Sequence, residues 1–187
     1  MKTLHVLMSS LFLVLMASCA TTSKVSTEEM QQLEDLAQSR AFRFEAEWAM
    51  PLVTNSLSQI NSALLLPPGS TVNQINLNGN NNYIKIQGDS ASVYLPYFGE
   101  RQMGGSYAPR NTGIHFEGIV DEMEMVKNEK KNSYEISFDM EAEESAEVYQ
   151  VYILVFPNLS ANVNINSNQR FPIRYKGKVS KFMEEEL

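Results

Sequence analysis

The sequence predicts a mainly β protein: an antiparallel meander curled into a sandwich or barrel, with one short N-terminal helix. Three observations carry this. Along most of the chain apolar residues alternate with polar ones, the period of a strand with one face buried. The alternating runs are separated by NGNNN at 78–82 and QGDS at 87–90, where Asn and Gly accept turn backbones cheaply. One segment near the N-terminus instead spaces its apolar residues three or four apart.

That segment, STEEMQQLEDLAQSRA at 26–41, is the helix. Ser26 and Glu29 form a capping box and Glu28 adds negative charge to the first turn. Met30, Leu33, Ala37 and Ala41 share one face, which predicts a helix laid on a sheet.

The period then changes to two. Phe42, Phe44, Ala46, Trp48 and Met50 alternate with Arg43, Glu45, Glu47 and Ala49, a strand that Pro51 stops. Residues 52–72 fit either period. NQINLNG, NYIKIQG and SVYLPYFG follow as a meander. In GIHFEGIVDEMEM, at 113–125, the apolar parity shifts, which predicts a β-bulge at Gly118. Tyr134, Ile136, Phe138 and Met140 share a face of the next strand. VYQVYILVF, at 148–156, is apolar at nearly every position and reads as a central strand covered on both sides. ANVNIN and FPIRYKGKV complete eight or nine strands, more than an open twisted sheet holds without curling.

The N-terminus predicts an exported protein. Lys2 precedes the apolar run LFLVLMA at 11–17, and small residues lead to Cys19. That is the layout of a secretory signal, and it is too short to span a bilayer. Cys19 is the sole cysteine, so no intramolecular disulfide is possible. MASC resembles the lipobox of bacterial lipoproteins, departing from it at Met16 and Ser18, and the resemblance implies acylation of Cys19. The expected division is residues 1–18 as lipoprotein signal peptide, 19–27 as flexible tether and 28–187 as a single β-rich domain. Ala20 in place of Asp, and no acidic cluster beside Cys19, imply by analogy a lipid-anchored envelope address, the outer membrane facing the periplasm.

The chain has 15 Lys and Arg against 22 Asp and Glu. Removing residues 1–18 takes one Lys and no acid and leaves a net charge of −8, which disfavours nucleic acid and anionic headgroups as partners. The expected partners are the membrane, through the lipid, and an envelope protein or glycan.

Motifs for chemistry are sparse. No G-x-S-x-G, H-E-x-x-H or P-loop occurs, and no catalytic residue, metal ligand or cofactor is assigned. His115 alternates with Ile114 and Phe116 and so faces the wetter side beside Glu117. The acidic run DMEAEESAE, from Asp139 to Glu147, reads as a solvated hairpin tip, with a weak cation site as the other reading. GDSA at 88–91 is a hairpin turn. It also resembles the Asp-Ser-small sequon at which Bacteroidetes glycosylate exported proteins, which would make Ser90 an O-glycan acceptor.

YLPYFGERQMGGSY, GIHFEG and RFPIRYKGKV together resemble a Bacteroidetes lipoprotein family catalogued as domain of unknown function 4251. The likeness covers about residues 40–182. Its marks are a lipobox, an aromatic-rich strand with a Pro before the first turn, an L-P-Y-F-G core and a terminal I-x-Y-x-G strand. The pair Glu100-Arg101 after the glycine and the Asn-rich segment 73–82 depart from the pattern. The resemblance implies no activity and no catalytic residues. Within L-P-Y-F-G, Leu95 and Tyr97 continue the inward face of Ala91 and Val93, and Pro96 offers no ladder N–H, so an edge or a bulge is expected there. Tyr97 and Phe98 plug a core end in one reading. In the other, Tyr94, Phe98, Tyr107 and His115 form an aromatic ledge that stacks on a sugar or peptide.

The function expected is a membrane-anchored envelope lipoprotein acting as a non-catalytic binding or scaffolding module. Two alternatives stand beside it. One is a glycan or peptide hydrolase using Glu117 with Glu45 or Glu47. The other is an inhibitor-like module presenting a rigid loop at 99–109.

Overall fold

The structure, a computed structural model, describes residues 25–54, 66–102, 113–142 and 146–181. Cys19 and Tyr107 lie outside them. Helix α1 (Thr27–Ser39) is followed by strands β1 (Ala41–Pro51), β2 (Ile75–Asn76), β3 (Tyr83–Gln87), β4 (Ser90–Leu95), β5 (Ile114–Ile119), β6 (Asp121–Asn128), β7 (Ser133–Glu141), β8 (Val148–Val155), β9 (Ser160–Ser167) and β10 (Ile173–Lys181).

The main sheet runs β5-β4-β3-β1-β10-β9-β8-β7-β6, with β2 paired to β1 alone. Every described pairing is antiparallel. Its two outermost strands, β5 and β6, are separated in the chain by Val120 alone. A sheet whose edges are one residue apart must curl round on itself, so this is a nearly closed, up-and-down barrel. Strand parity agrees. β5 and β6 run in the same direction, which makes 114–128 one long bent strand that pairs first with β4 and then with β7. Counted once, it brings the circuit to an even number of strands, as antiparallel closure requires.

The interior is filled by Phe42, Phe44, Phe138, Met140 and Tyr175, all under 2% exposed, and by the buried aliphatic residues between them. The expected capping box forms: Ser26 accepts from Glu29 N–H and Glu29 from Ser26 N–H. Leu33, Leu36 and Ala37 of α1 are buried, and Glu34 pairs with Lys127 of β6. The helix therefore ties the start of β1 to the far side of the sheet. It stops at Ser39 rather than at Ala41, because Arg40 takes a left-handed backbone (φ 46°) that turns the chain into β1.

Four further details differ from the alternation pattern. A bulge between Ala46 and Trp48 reverses the parity of β1, so Ala49 and Pro51 are buried and Trp48 faces out beside Lys176. The register shift expected at Gly118 falls instead between Asp121 and Glu124, at Glu122 with φ 52°, and Ile119 stands 78% exposed. The segment 73–79 contributes two strand residues only. Finally, β8 is covered on one face alone: Tyr149, Val151, Ile153 and Val155 are buried while Tyr152 is 47% exposed.

The β1 bulge rests on two residues. Phe44 pairs with Ile84 of β3 and Trp48 with Asn76 of β2, which leaves Ala46 facing neither strand. The buried side chain of Asn82 fills that place. It accepts from Ala46 N–H at 2.8 Å and donates to Ala46 C=O at 3.1 Å, as a strand neighbour would. Asn82→Ala orphans both groups and is expected to cost about 2 kcal/mol, read as a lower urea midpoint. Asn82→Asp should also destabilise, since a carboxylate accepts from Ala46 N–H but cannot donate to its carbonyl. Gly177 is the second residue, directly opposite Ala46.

Candidate functional site

Three parts of the structure bear on function: two answer to the sequence expectations, and the third was not expected. The first is the aromatic ledge. The β3–β4–β5 register places Tyr83 beside Tyr94 and Tyr94 beside His115. Tyr83 and Tyr94 stack with centroids 6.0 Å apart, and His115 meets Tyr94 edge-on at 4.6 Å. The Arg43 guanidinium sits 4.6 Å over the Tyr83 ring. Tyr94 and His115 thus come together, joined by Tyr83 and Arg43, which the ledge expectation did not include. Phe98 is not part of that surface. It packs against the buried core. Ser90 is exposed at the start of β4, beside the hairpin that Gly88 turns at φ 61°.

The second part is the corner made by L-P-Y-F-G. β4 ends at Leu95, so Pro96 lies beyond the ladder and interrupts nothing. The Tyr175 hydroxyl donates to Pro96 C=O at 2.8 Å, and the Tyr97 hydroxyl donates to Phe171 C=O at 3.0 Å. Residues 100–102 are stitched to 169–171 by Phe171 N–H to Glu100 C=O and Gln102 N–H to Gln169 C=O. The stretch that follows L-P-Y-F-G and the start of the terminal family strand therefore meet in one contact. At its centre Arg170 and Glu147, 5% and 1% exposed, pair at 2.8 Å. Ser167 Oγ donates to Glu147 at 2.7 Å, Arg170 donates to Gly113 C=O at 3.1 Å, and the Arg170 guanidinium lies 5.0 Å over the Tyr97 ring. Glu147 is thus no part of a solvated tip. Among the described residues no three His, Cys, Asp or Glu gather as a metal site.

Burial pushes the Tyr97, Tyr149 and Tyr175 phenols up, with the Arg170 charge partly offsetting it at each. At Tyr149 the nearby Glu147 charge and a hydrogen bond to that carboxylate raise it further. A phenol whose folded pKa is raised stabilises the fold fully below its unfolded value near 10, and that stability is lost as pH climbs above it. Alkaline titration followed by phenolate absorbance is expected to show Tyr149 and Tyr175, the buried two of the eight tyrosines, ionising only together with loss of the β signal. Ionisation of all tyrosines near their ordinary value, with the fold intact, would contradict the burial.

The third part is a trough of about 550 Å³ on the outer face of β6–β10. Direct register neighbours line it up. One row runs Glu124, Ser137, Tyr152, Asn164, Arg174, Met50 across six strands. The next runs Val126, Glu135, Leu154, Asn162, Lys176, Trp48. Tyr152 and Val126 are 47% and 56% exposed and make an apolar floor with Leu154. Acids stand at the β6–β7 end and cations at the β10 end. The outward apolar residues that made β8 look doubly covered are this floor.

The register also fixes the acids named for hydrolysis. Glu117 on β5 and Glu45 or Glu47 on β1 are three strand spacings apart, about 14 Å. That is a backbone separation, and the side chains would have to lean toward one another to reach the roughly 5–9.5 Å between the carboxyl groups of a glycosidase pair. Glu45 pairs with Arg43 at 2.9 Å and Glu47 lies 3.6 Å from Lys178.

Fold and surface define a small antiparallel β-barrel protein whose charged trough lies on the outside of the barrel wall. A family model described as a domain of unknown function, DUF4251, matches residues 24–179, and the chain belongs to that family. No curated protein matches it at a significant level.

Proposed function

We propose that the chain is an envelope lipoprotein, acylated at Cys19 and held on the outer membrane facing the periplasm, that binds its ligand without transforming it. The observation that carries the binding half is the outer trough, an apolar floor rimmed by charged and amide groups, the make-up of a ligand site. The barrel interior is packed with large side chains, so the outer wall is the surface on offer. The spacing of Glu117 from Glu45 and Glu47 speaks against paired-carboxylate hydrolysis. Ser90, exposed in its hairpin, is accessible to the glycosylation its sequon implies. The anchoring half rests on the lipobox resemblance and the lone cysteine, since several acyl chains at about 0.8 kcal/mol per buried CH₂ hold a protein on a bilayer.

One experiment in the native host tests both halves. The protein is expected in the membrane fraction with fatty-acid label, and Cys19→Ala is expected soluble and unlabelled. A photo-crosslinker at position 152 is expected to capture a ligand that mass spectrometry shows chemically intact. A soluble, unlabelled native protein contradicts the anchor. A cleaved or converted ligand contradicts binding without transformation.

A further inference from the structure

The geometry points to a short zwitterionic peptide, of about four or five residues with a free ammonium at one end and a free carboxylate at the other, as the ligand of the outer trough. This inference rests on the reading of the trough as a ligand site and adds its chemistry.

The argument is charge against distance. Glu124 and Glu135 mark one end of the trough and Arg174 and Lys176 the other. Between Glu135 on β7 and Lys176 on β10 lie three strand spacings, and between Glu124 on β6 and Arg174 on β10 lie four. That is about 14–19 Å. An extended chain advances about 3.3–3.6 Å per residue, so four or five residues bridge the two ends. Glu135 lies 3.6 Å from Lys131 and accepts from the Asn128 amide at 2.8 Å, both at exposed positions, so an arriving ammonium can replace or share those contacts at little cost.

The middle of the trough suits the same ligand. Asn162 and Asn164 each offer a donor and an acceptor, the complement of a peptide unit. Tyr152 and Leu154 offer apolar contact for small side chains. A neutral oligosaccharide would leave both charged ends unmatched. A polyanion would meet Glu124 and Glu135, and a polycation would meet Arg174 and Lys176, so the opposed ends select against both by repulsion. Peptide orientation follows: carboxylate toward β10, where Arg174 can grip it bidentately, and ammonium toward β6. Trp48, the sole tryptophan, faces out beside Lys176 and reports on the carboxylate end.

The test is calorimetric titration of the full chain in detergent micelles, with Trp48 emission followed in parallel. The probes are tetra-alanine, its N-acetyl and C-amide forms, and a chito-oligosaccharide of similar length. Tetra-alanine is expected to bind and perturb Trp48, and capping either end to weaken binding about tenfold or more. Arg174→Glu combined with Lys176→Glu, both exposed, is expected to erase the preference for the free carboxylate while leaving the far-UV spectrum unchanged. Equal binding of capped and free peptides, or binding of the saccharide alone, overturns the peptide inference and leaves the trough as a ligand site. No response to any of the four probes overturns both.

Discussion

Replacing Gly177 by Ala is expected to destabilise the barrel by more than about 3 kcal/mol, among the largest effects a single methyl group can have. A Cβ at this position would lie 1.8 Å from the carbonyl oxygen of Glu45 and 2.8 Å from Cα of Ala46. Both obstacles are backbone, so no side-chain rotation relieves them. The close approach exists because β1 bulges after Ala46 and presses its backbone onto β10. To accept the methyl group β1 must retreat, which breaks the β1–β10 ladder and pulls Ala46 off Asn82. Urea unfolding monitored by circular dichroism should show the loss. In a domain of this size each kcal/mol lowers the thermal midpoint by about 2–4 °C, so a fall of roughly 6–12 °C or more is expected. Ser180→Ala, an exposed change on the same strand, should stay within about 0.5 kcal/mol. Equal stabilities for the two variants would mean that β1 carries no such bulge.

Arg170→Met is expected to cost about 3–5 kcal/mol, because it leaves the Glu147 carboxylate buried without its partner. The pair is 2.8 Å apart with both side chains nearly sealed from water. Arg101, 3.6 Å from the same carboxylate and 40% exposed, is too distant and too wet to replace the lost guanidinium. The double variant Arg170→Met with Glu147→Leu should recover more than half of the loss. Removing both charges removes the desolvation penalty together with the attraction, and the residual loss reflects the contacts to Gly113 and Ser167. A double-mutant cycle measures this directly. Additive losses would show that the two side chains do not interact. A large coupling would confirm that the buried pair holds the 169–171 strip in this corner, and that the corner is structural. The corner is an expensive arrangement, since a hydrophobic pair of the same shape could fill it. The ion pair instead fixes one docking of 100–102 against 169–171.

Much of the barrel could be read from residue order. The capping box of Ser26 and Glu29, the alternation in β7, β9 and β10, and the Asn and Gly breaks are local signals, and local geometry decides them. What alternation could not show was where the parity slips. The bulge before Trp48 depends on Gly177, some 130 residues away, and on an asparagine side chain standing in for a strand. The slip at Glu122 depends on the long strand leaving β4 for β7. Closure itself is a property of pairing order, so sandwich and barrel were equivalent until β5 and β6 emerged as the two edges.

The site was partly legible. Tyr94 and His115 meet because direct cross-strand neighbours share a face. Glu147 carried a signal that its acidic neighbours concealed: it shares parity with Tyr149, Val151 and Ile153, and so points inward. The trough was hidden by the opposite error. Tyr152 and Leu154 made β8 uniformly apolar, which reads as burial on both sides. A strand can also be apolar on its outer face because something binds there.

In-cell photo-crosslinking tests most directly whether the outer wall of the barrel is where this protein holds its ligand. Crosslinkers would be placed singly at Tyr152 in the trough, at Tyr94 on the aromatic ladder and at Ile119 on the exposed bend. Strong capture from position 152, with background capture from 94 and 119, is the predicted result. Capture concentrated at position 94 or 119, with position 152 silent, would contradict it.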